Sequence, residues 1–401
     1  MKVKIVFCNH YARPGWLDGA EVSLLQIISA LPANQFEKIL VTPTMGEMPQ
    51  LAQKLGVTVH VSPLSLVWSM GGISKYNKGR YSGIQQHIKY LLSAENAEIF
   101  RFKRFLMSIQ PQLLFINTGV NVLPAIIGKR LGIQTVWFPR EYFREDFAET
   151  FQVLNQFSDQ IWVASAAMEN LLHSSAQLSV KLLRVPNFID LANLEESQWA
   201  NQRQTLRNRY GLSPNQTAIC YWSSISPLKG ISDFIQMAHR LREQHSQNIK
   251  FFVAGSASQD LYLQQAIAQS KALGLENELF FVGFFPCSQY FLPGMDIVVH
   301  PSRFNETFSR TALDAMSFRK PIVAYNSGAI SELVRQDVTG FLVSKGDIMG
   351  LCNFCSMLIV NPELRQLMGN SGRQMVENHY STAQVLPLML NAFSKLLQLR
   401  R

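Results

Sequence analysis

The chain has 401 residues, of which 47% are hydrophobic, and carries a formal net charge of +9. That length exceeds one ordinary core and favours two domains of roughly 190 residues each, while the charge suits an anionic ligand or an acidic membrane surface and says nothing about fold. The cysteines (Cys8, Cys220, Cys287, Cys352 and Cys355) make no disulfide framework, which excludes a small secreted scaffold and points to a reducing compartment.

The chain opens on an apolar strand that turns polar at Asn9. It is too short for a signal peptide, and nothing later approaches a membrane span, so a cytoplasmic protein is expected. Strand-like runs follow at 38–42, 57–61, 113–117, 135–138 and 160–164, with helical periodicity between them. The clearest helix is 20–31, with Val22, Leu25, Ile28 and Leu31 on one stripe. Alternation of this kind predicts a parallel sheet covered on both faces. The loop 9–19 holds Pro14, Gly15 and Gly19 but no Gly-x-Gly-x-x-Gly, so it carries no dinucleotide fingerprint, and Gly19 reads equally as relief of crowding at a helix start.

From 68 to 106 basic and aromatic residues are interleaved: Lys75, Lys78, Arg80, Lys89, Arg101, Lys103 and Arg104 with Trp68, Tyr76, Tyr81, Tyr90, Phe100, Phe102 and Phe105. Only Glu95 and Glu98 oppose them. The pattern suits peripheral contact with anionic lipid; an acceptor-site insertion beside an ordinary helix with core phenylalanines fits it as well. Strand 135–138 ends in Pro139-Arg140-Glu141. An Arg–Glu pair there is either a surface ion pair or, at the carboxyl end of a sheet strand, part of a site.

The second half repeats the alternation, with strands expected at 218–222, 250–254, 279–282, 297–300, 321–324 and 341–343. After 218–222 come Ser223, Ser224 and, at the next helix start, Lys229-Gly230. A lysine at that turn is placed to meet phosphate as a point charge, although an exposed lysine before a helix is also an ordinary surface group. Cys352-x-x-Cys355 sits in an apolar helical run without a second pair and reads as core.

The stretch from Pro301 to Pro321 is the most informative. Strand 297–300 enters a polar loop, and a helix is expected to open on Thr307 to Ser309, with Glu306 just before it and Asp314 about two turns in. A helix N-terminus suits a phosphate. At 1.5 Å per residue the two acids stand roughly 12 Å apart along the helix, about the reach of a nucleoside-diphosphate sugar from hexose to ribose. Read alone, the mid-helix aspartate is equally a solvated side chain.

The segment resembles the signature of glycosyltransferase family 4, a retaining family of GT-B architecture. Pro301, Ser302, Glu306, Phe308, Ala315, Met316 and Pro321 match it, whereas Thr307 and Ser309 stand in place of glycines and Asp314 in place of a second glutamate. The resemblance extends to Lys229-Gly230, to the linker Pro186-Asn187-Phe188-Ile189-Asp190 and, weakly, to Gly19-Ala20-Glu21. It implies an α/β protein of two Rossmann-like domains facing across a cleft. Residues 1–186, with a C-terminal helix 380–401 crossing back, would bind the acceptor, and 187–379 the nucleotide sugar.

The resemblance further implies that Lys229, Thr307, Phe308 and Ser309 surround the diphosphate, that Glu306 orients the sugar, that Asp314 takes the ribose, and that Gly19 lets substrate approach the backbone. Arg140 and Glu141 replace a histidine that contacts the donor sugar in many members. Ser224 stands where an arginine is expected, and Arg310 or Arg303 would have to supply that charge. The donor sugar nucleotide is then the sole small-molecule requirement, and a glycan, lipid-linked or small-molecule acceptor the partner. No Asp-x-Asp, His-Glu-x-x-His or nucleic-acid module occurs, so neither a metal site nor nucleic acid is expected. Two rivals stay open: a non-catalytic sugar-nucleotide binder, and a sugar-nucleotide epimerase of the same fold.

Overall fold

In the computed structural model of the protein, residues 2–67, 70, 84–93, 97–142, 148–173, 181–194, 196–245, 248–257 and 259–398 are described. The chain divides into two compact units, Met1–Asn187 with Val385–Arg401, and Phe188–Gln384.

The first unit is built on strands β1 (Val3–Cys8), β2 (Phe36–Thr42), β3 (Thr58–Val61), β4 (Leu113–Asn117), β5 (Gln134–Phe138), β6 (Gln160–Val163) and β7 (Leu182–Arg184). They pair in the order β3-β2-β1-β4-β5-β6-β7, all parallel. β4, Leu-Leu-Phe-Ile-Asn, is buried at every position, as a parallel strand covered by helices on both faces must be. The helix Thr382–Gln398 sends Phe393 into this core, where its ring stacks on Trp162 at 5.2 Å and meets Phe115 and Phe36 edge-on.

The second unit holds β8 (Thr217–Trp222), β9 (Ile249–Ala254), β10 (Leu279–Gly283), β11 (Ile297–His300), β12 (Ile322–Tyr325) and β13 (Gly340–Val343). These pair in the order β10-β9-β8-β11-β12-β13, again parallel throughout. Both sheets are doubly wound. Strand order reverses between β1 and β4 in one and between β8 and β11 in the other, and ligands of such sheets lie beyond the carboxyl ends of the strands at that reversal. The loops after β8, β11, β1 and β4 border those reversals.

The strands expected from the sequence are present, with no end shifted by more than two residues. β7 was not anticipated: it has three residues, too few to show a period. The helix in the signature segment also starts later than expected. It runs Arg310–Ser317 with Ser309 as its N-cap, because the Ser309 hydroxyl accepts from the Ala312 N–H and residues 306–309 follow an extended, bent path. The 12 Å spacing along one helix axis therefore does not apply to Glu306 and Asp314. Among the described residues no helix is long and apolar enough to cross a membrane.

Candidate functional site

In the second unit the loops after β8 and β11 are pressed together by a glycine. The turn Pro227–Lys229 closes on Gly230 at φ 73°, and a Cβ there would stand 1.8 Å from the Pro301 carbonyl oxygen. The Arg303 and Phe304 N–H groups both donate to the Leu228 carbonyl, at 2.9 and 3.2 Å. This clasp brings Lys229 onto Glu306, with Nζ 2.6 Å from Oε1. The ammonium also lies over the Phe304 ring, 5.5 Å from its centre.

Glu306 Oε1 is a convergence point. Besides Lys229 it accepts from Ser302 Oγ at 2.9 Å, and His300 Nε2 stands 3.4 Å away. Burial by itself would raise the carboxyl pKa, but the Lys229 ammonium, the largest opposing cause, outweighs it and the group lies far below the usual glutamate range. Among the described residues no protein donor reaches Oε2, so one lone-pair face of a buried carboxylate is left for a ligand. The main chain of Glu306 is fixed from the other side by an isolated bridge to Gly328 and by the Ala329 N–H, which donates to its carbonyl at 2.8 Å.

Arg303 turns away from this pair. Its Nε and Nη2 bond both oxygens of buried Asp233 at 2.8 and 2.9 Å, and the Tyr325 hydroxyl donates to the same carboxylate. Arg310 donates to Asp314 Oδ1 at 3.1 Å and to the Phe188 carbonyl at 3.0 Å. Asp314 Oδ2 accepts from the Trp222 indole at 3.2 Å, and that indole stacks on Phe291. Burial raises the Asp314 pKa despite Arg310 and Trp222, so this acid and Glu306 are driven in opposite directions. Thr307 is half-buried, Phe308 packs edge-on against Tyr380, and Ser224 offers its carbonyl to the Tyr221 hydroxyl at 2.6 Å.

In the first unit Arg140 and Glu141 do not form the pair their adjacency suggests. The Arg140 side chain reaches Asn117 and Asn187, at 2.9 and 2.8 Å, and lies on the Phe138 ring. Glu141 Oε2 accepts main-chain N–H bonds from Gly119 and Arg140 at 2.6 and 2.9 Å, which organises the loop after β4.

Beside it stands a polar cluster that the sequence reading passed over. Asp18 and Glu21 cap the helix Gly19–Ala30 reciprocally, with Gly19 as its first residue. The Tyr11 hydroxyl donates to Asp18 at 3.0 Å, His10 Nε2 lies 3.5 Å from the same carboxylate, and Asn9 donates to Glu21 at 3.3 Å. Burial, reinforced by Asp18, pushes the Glu21 carboxyl up to about 8. The signal was available, since Asp-x-x-Glu ahead of an apolar helix is a capping box.

The helix Ala97–Ile109 buries Phe102 and Leu106 and exposes Phe100 and Met107, at 61% and 57%, among exposed Arg101, Lys103 and Arg104. Glu98 turns inward to the Ser65 N–H and hydroxyl. Of the basic-aromatic run, residues 68–69, 71–83 and 94–96 lie outside the described residues. Among the described residues no group of three or more His, Cys, Asp or Glu side chains could hold a metal ion.

Residues 202–375 match the family described as "Glycosyl transferases group 1". The chain is 26% identical to an alpha-D-kanosaminyltransferase of Streptomyces kanamyceticus over 52% of its own length and 53% of the relative's. It spans about half the length of the curated relatives it matches. Solved structures align over nearly the whole chain. The Anabaena HepE complex with UDP-glucose superposes with a TM-score of 0.80 at 19% identity, covering 98% of this chain and 99% of that one. WaaG, a glycosyltransferase involved in lipopolysaccharide biosynthesis, gives 0.69 at 14% identity, covering 96% and 98%. The fold is that of the GT-B glycosyltransferases.

Proposed function

We propose that the protein is a glycosyltransferase whose second unit holds a nucleoside-diphosphate sugar and whose first unit takes the acceptor. The observation that carries this reading is the Lys229–Glu306 contact at the strand-order reversal between β8 and β11, inside the segment that matches the family. Lys229 is the cation placed to meet the diphosphate. Glu306, ionised and with Oε2 open, is placed to accept hydroxyls of the transferred sugar. As the bond from the sugar's anomeric carbon to the diphosphate lengthens, negative charge grows on the leaving phosphate. Lys229 and the N-terminus of the helix Arg310–Ser317 stabilise that charge more than they stabilise the ground state.

In this reading Asp314 addresses the ribose and Arg310 supplies the charge absent at Ser224. The departing phosphate takes the acceptor's proton and the acceptor oxygen enters on the same face, so anomeric configuration is retained. The acceptor is a glycan or a lipid-linked glycan, in keeping with the lipopolysaccharide role of WaaG. The helix Ala97–Ile109 favours a peripheral position on the cytoplasmic membrane face, since its exposed phenylalanine and methionine lie among three exposed cations.

The test is a thermal-shift screen of UDP-, GDP-, ADP- and dTDP-glucose, because a ligand bound only by the folded state raises the melting temperature. It is followed by detection of free nucleotide and product anomer with acceptor present. A shift without turnover would mark a non-catalytic binder. A changed sugar nucleotide without acceptor would mark an epimerase. No shift with any of the four would remove the donor reading.

A further inference from the structure

We propose that His300 takes up a proton from solvent when the donor binds, and that this proton keeps Glu306 ionised once Lys229 turns to the diphosphate. The inference rests on the donor reading above and concerns a residue that reading does not use.

His300 ends β11 and is 2% exposed. Among the described residues neither of its ring nitrogens has a hydrogen-bond partner, which is uncommon for a buried imidazole. Its Nε2 lies 3.4 Å from Glu306 Oε1, within ion-pair range but without hydrogen-bond alignment. The ring therefore stands beside a carboxylate it does not fully engage while Lys229 is there.

Lys229 cannot serve two anions at full strength. Its ammonium contacts Glu306 at 2.6 Å, and a diphosphate carrying two negative charges would draw it away. The Glu306 side chain is only 13% exposed, so water compensates poorly for the lost cation. A buried carboxylate left alone takes a proton itself, and a neutral Glu306 would accept sugar hydroxyls less well. Ser302 supplies a hydrogen bond but no charge. His300 is the histidine at hand, and histidine is the side chain whose ordinary titration lies near neutrality.

The remaining titratable groups around β11 have their own partners. Tyr221 on β8 donates to the Ser224 carbonyl, and Tyr325 on β12 donates to Asp233, which Arg303 holds. Asp314 is paired with Arg310. The balance is simple: solvent gives one proton to the imidazole, no covalent bond to carbon or phosphorus changes, and the imidazolium takes over the contact with Glu306. His300 is thus a positioning residue, acting on the sugar through Glu306.

The test uses whichever of UDP-, GDP-, ADP- or dTDP-glucose binds, in titration calorimetry with buffers of different ionisation heat, about one pH unit above the ordinary histidine value. The intact nucleotide sugar is the right probe, because its doubly esterified diphosphate does not titrate across the histidine range of about pH 5 to 8. About one proton should enter per donor bound, and affinity should fall about tenfold per pH unit above the histidine titration. His300→Gln should bind without proton uptake, with affinity flat against pH. Binding by the unaltered protein with no dependence on buffer heat overturns the inference and leaves the donor reading intact, as does uptake that persists in His300→Gln. Failure of all four donors to bind overturns the reading itself, and the inference with it. Should His300→Gln not fold, the buffer dependence of the unaltered protein decides alone.

Discussion

Gly328 lies flat against the main chain of Glu306. It adopts φ 61° and ψ −132°, and a Cβ at that position would stand 2.3 Å from the Glu306 carbonyl oxygen and 2.5 Å from its nitrogen. No rotamer relieves a clash with backbone, so the contact fixes where the carboxylate begins. Gly328→Ala should combine strain of about 1–3 kcal/mol with a displaced Glu306. The expected outcome is a folded protein of lowered melting temperature with little turnover; normal turnover would mean that the loop around Glu306 tolerates movement.

Lys229→Ala removes a contact that strengthens as the leaving group departs, so turnover should fall about 10²–10³-fold, or about 2.7–4 kcal/mol. It also leaves Glu306 buried without its main cation, so stability should fall as well. Adding Glu306→Gln should recover part of that stability without recovering activity, since a buried charge left unpaired is costlier than the neutral pair. Additive losses of stability in the double variant would show that the two residues do not interact in solution.

The capping pair of the first unit predicts a pH effect. Folding binds a proton at Glu21 that the unfolded chain releases, because the folded carboxyl is pushed from 4.5 up to about 8. Its contribution to stability is therefore intact below the unfolded value and lost progressively as pH rises through the folded one. Glu21→Gln keeps an oxygen for the Asp18 N–H and removes the titration. Melting temperatures measured across that window should converge at the acid end and favour the variant at the alkaline end. Parallel profiles would place Glu21 outside the titrating set.

Liposome co-sedimentation tests the helix Ala97–Ile109. Binding should require anionic lipid, weaken with salt, and fall when Arg101, Lys103 and Arg104 are replaced by glutamine or when Phe100 and Met107 are replaced by serine. Equal recovery on neutral and anionic vesicles would argue for a soluble acceptor and an ordinary solvated helix.

Much of the fold was legible in the sequence because parallel strands buried on both faces read as unbroken apolar runs. Val3–Cys8, Leu113–Asn117 and Ile297–His300 have the bounds expected of them. The signature segment gave the acids and the lysine but not their geometry. Nothing in the residue order announces that the Ser309 hydroxyl delays the helix, or that Lys229, distant in sequence, closes on Glu306. Arg140 and Glu141 show the opposite hazard, adjacent opposite charges whose side chains do not pair, the guanidinium going to two asparagines and the carboxylate to main-chain N–H groups. Trp222, read only as the end of a strand, holds Asp314 through its indole. Side-chain partners across long sequence separations are set by the sheet's topology, which periodicity does not encode.

The path of the chain also orders its assembly. The second unit is one continuous stretch whose two ends are held side by side, with Ile189 exchanging main-chain hydrogen bonds with Tyr380 and Thr382. The first unit is interrupted by it, and Phe393, which packs against both Trp162 and Phe115, comes from the far side of the interruption. During synthesis the second unit has all its residues while the first still lacks that ring. The half translated first is thus the half completed last, and until then Trp162 and Phe115 lack one of their ring contacts.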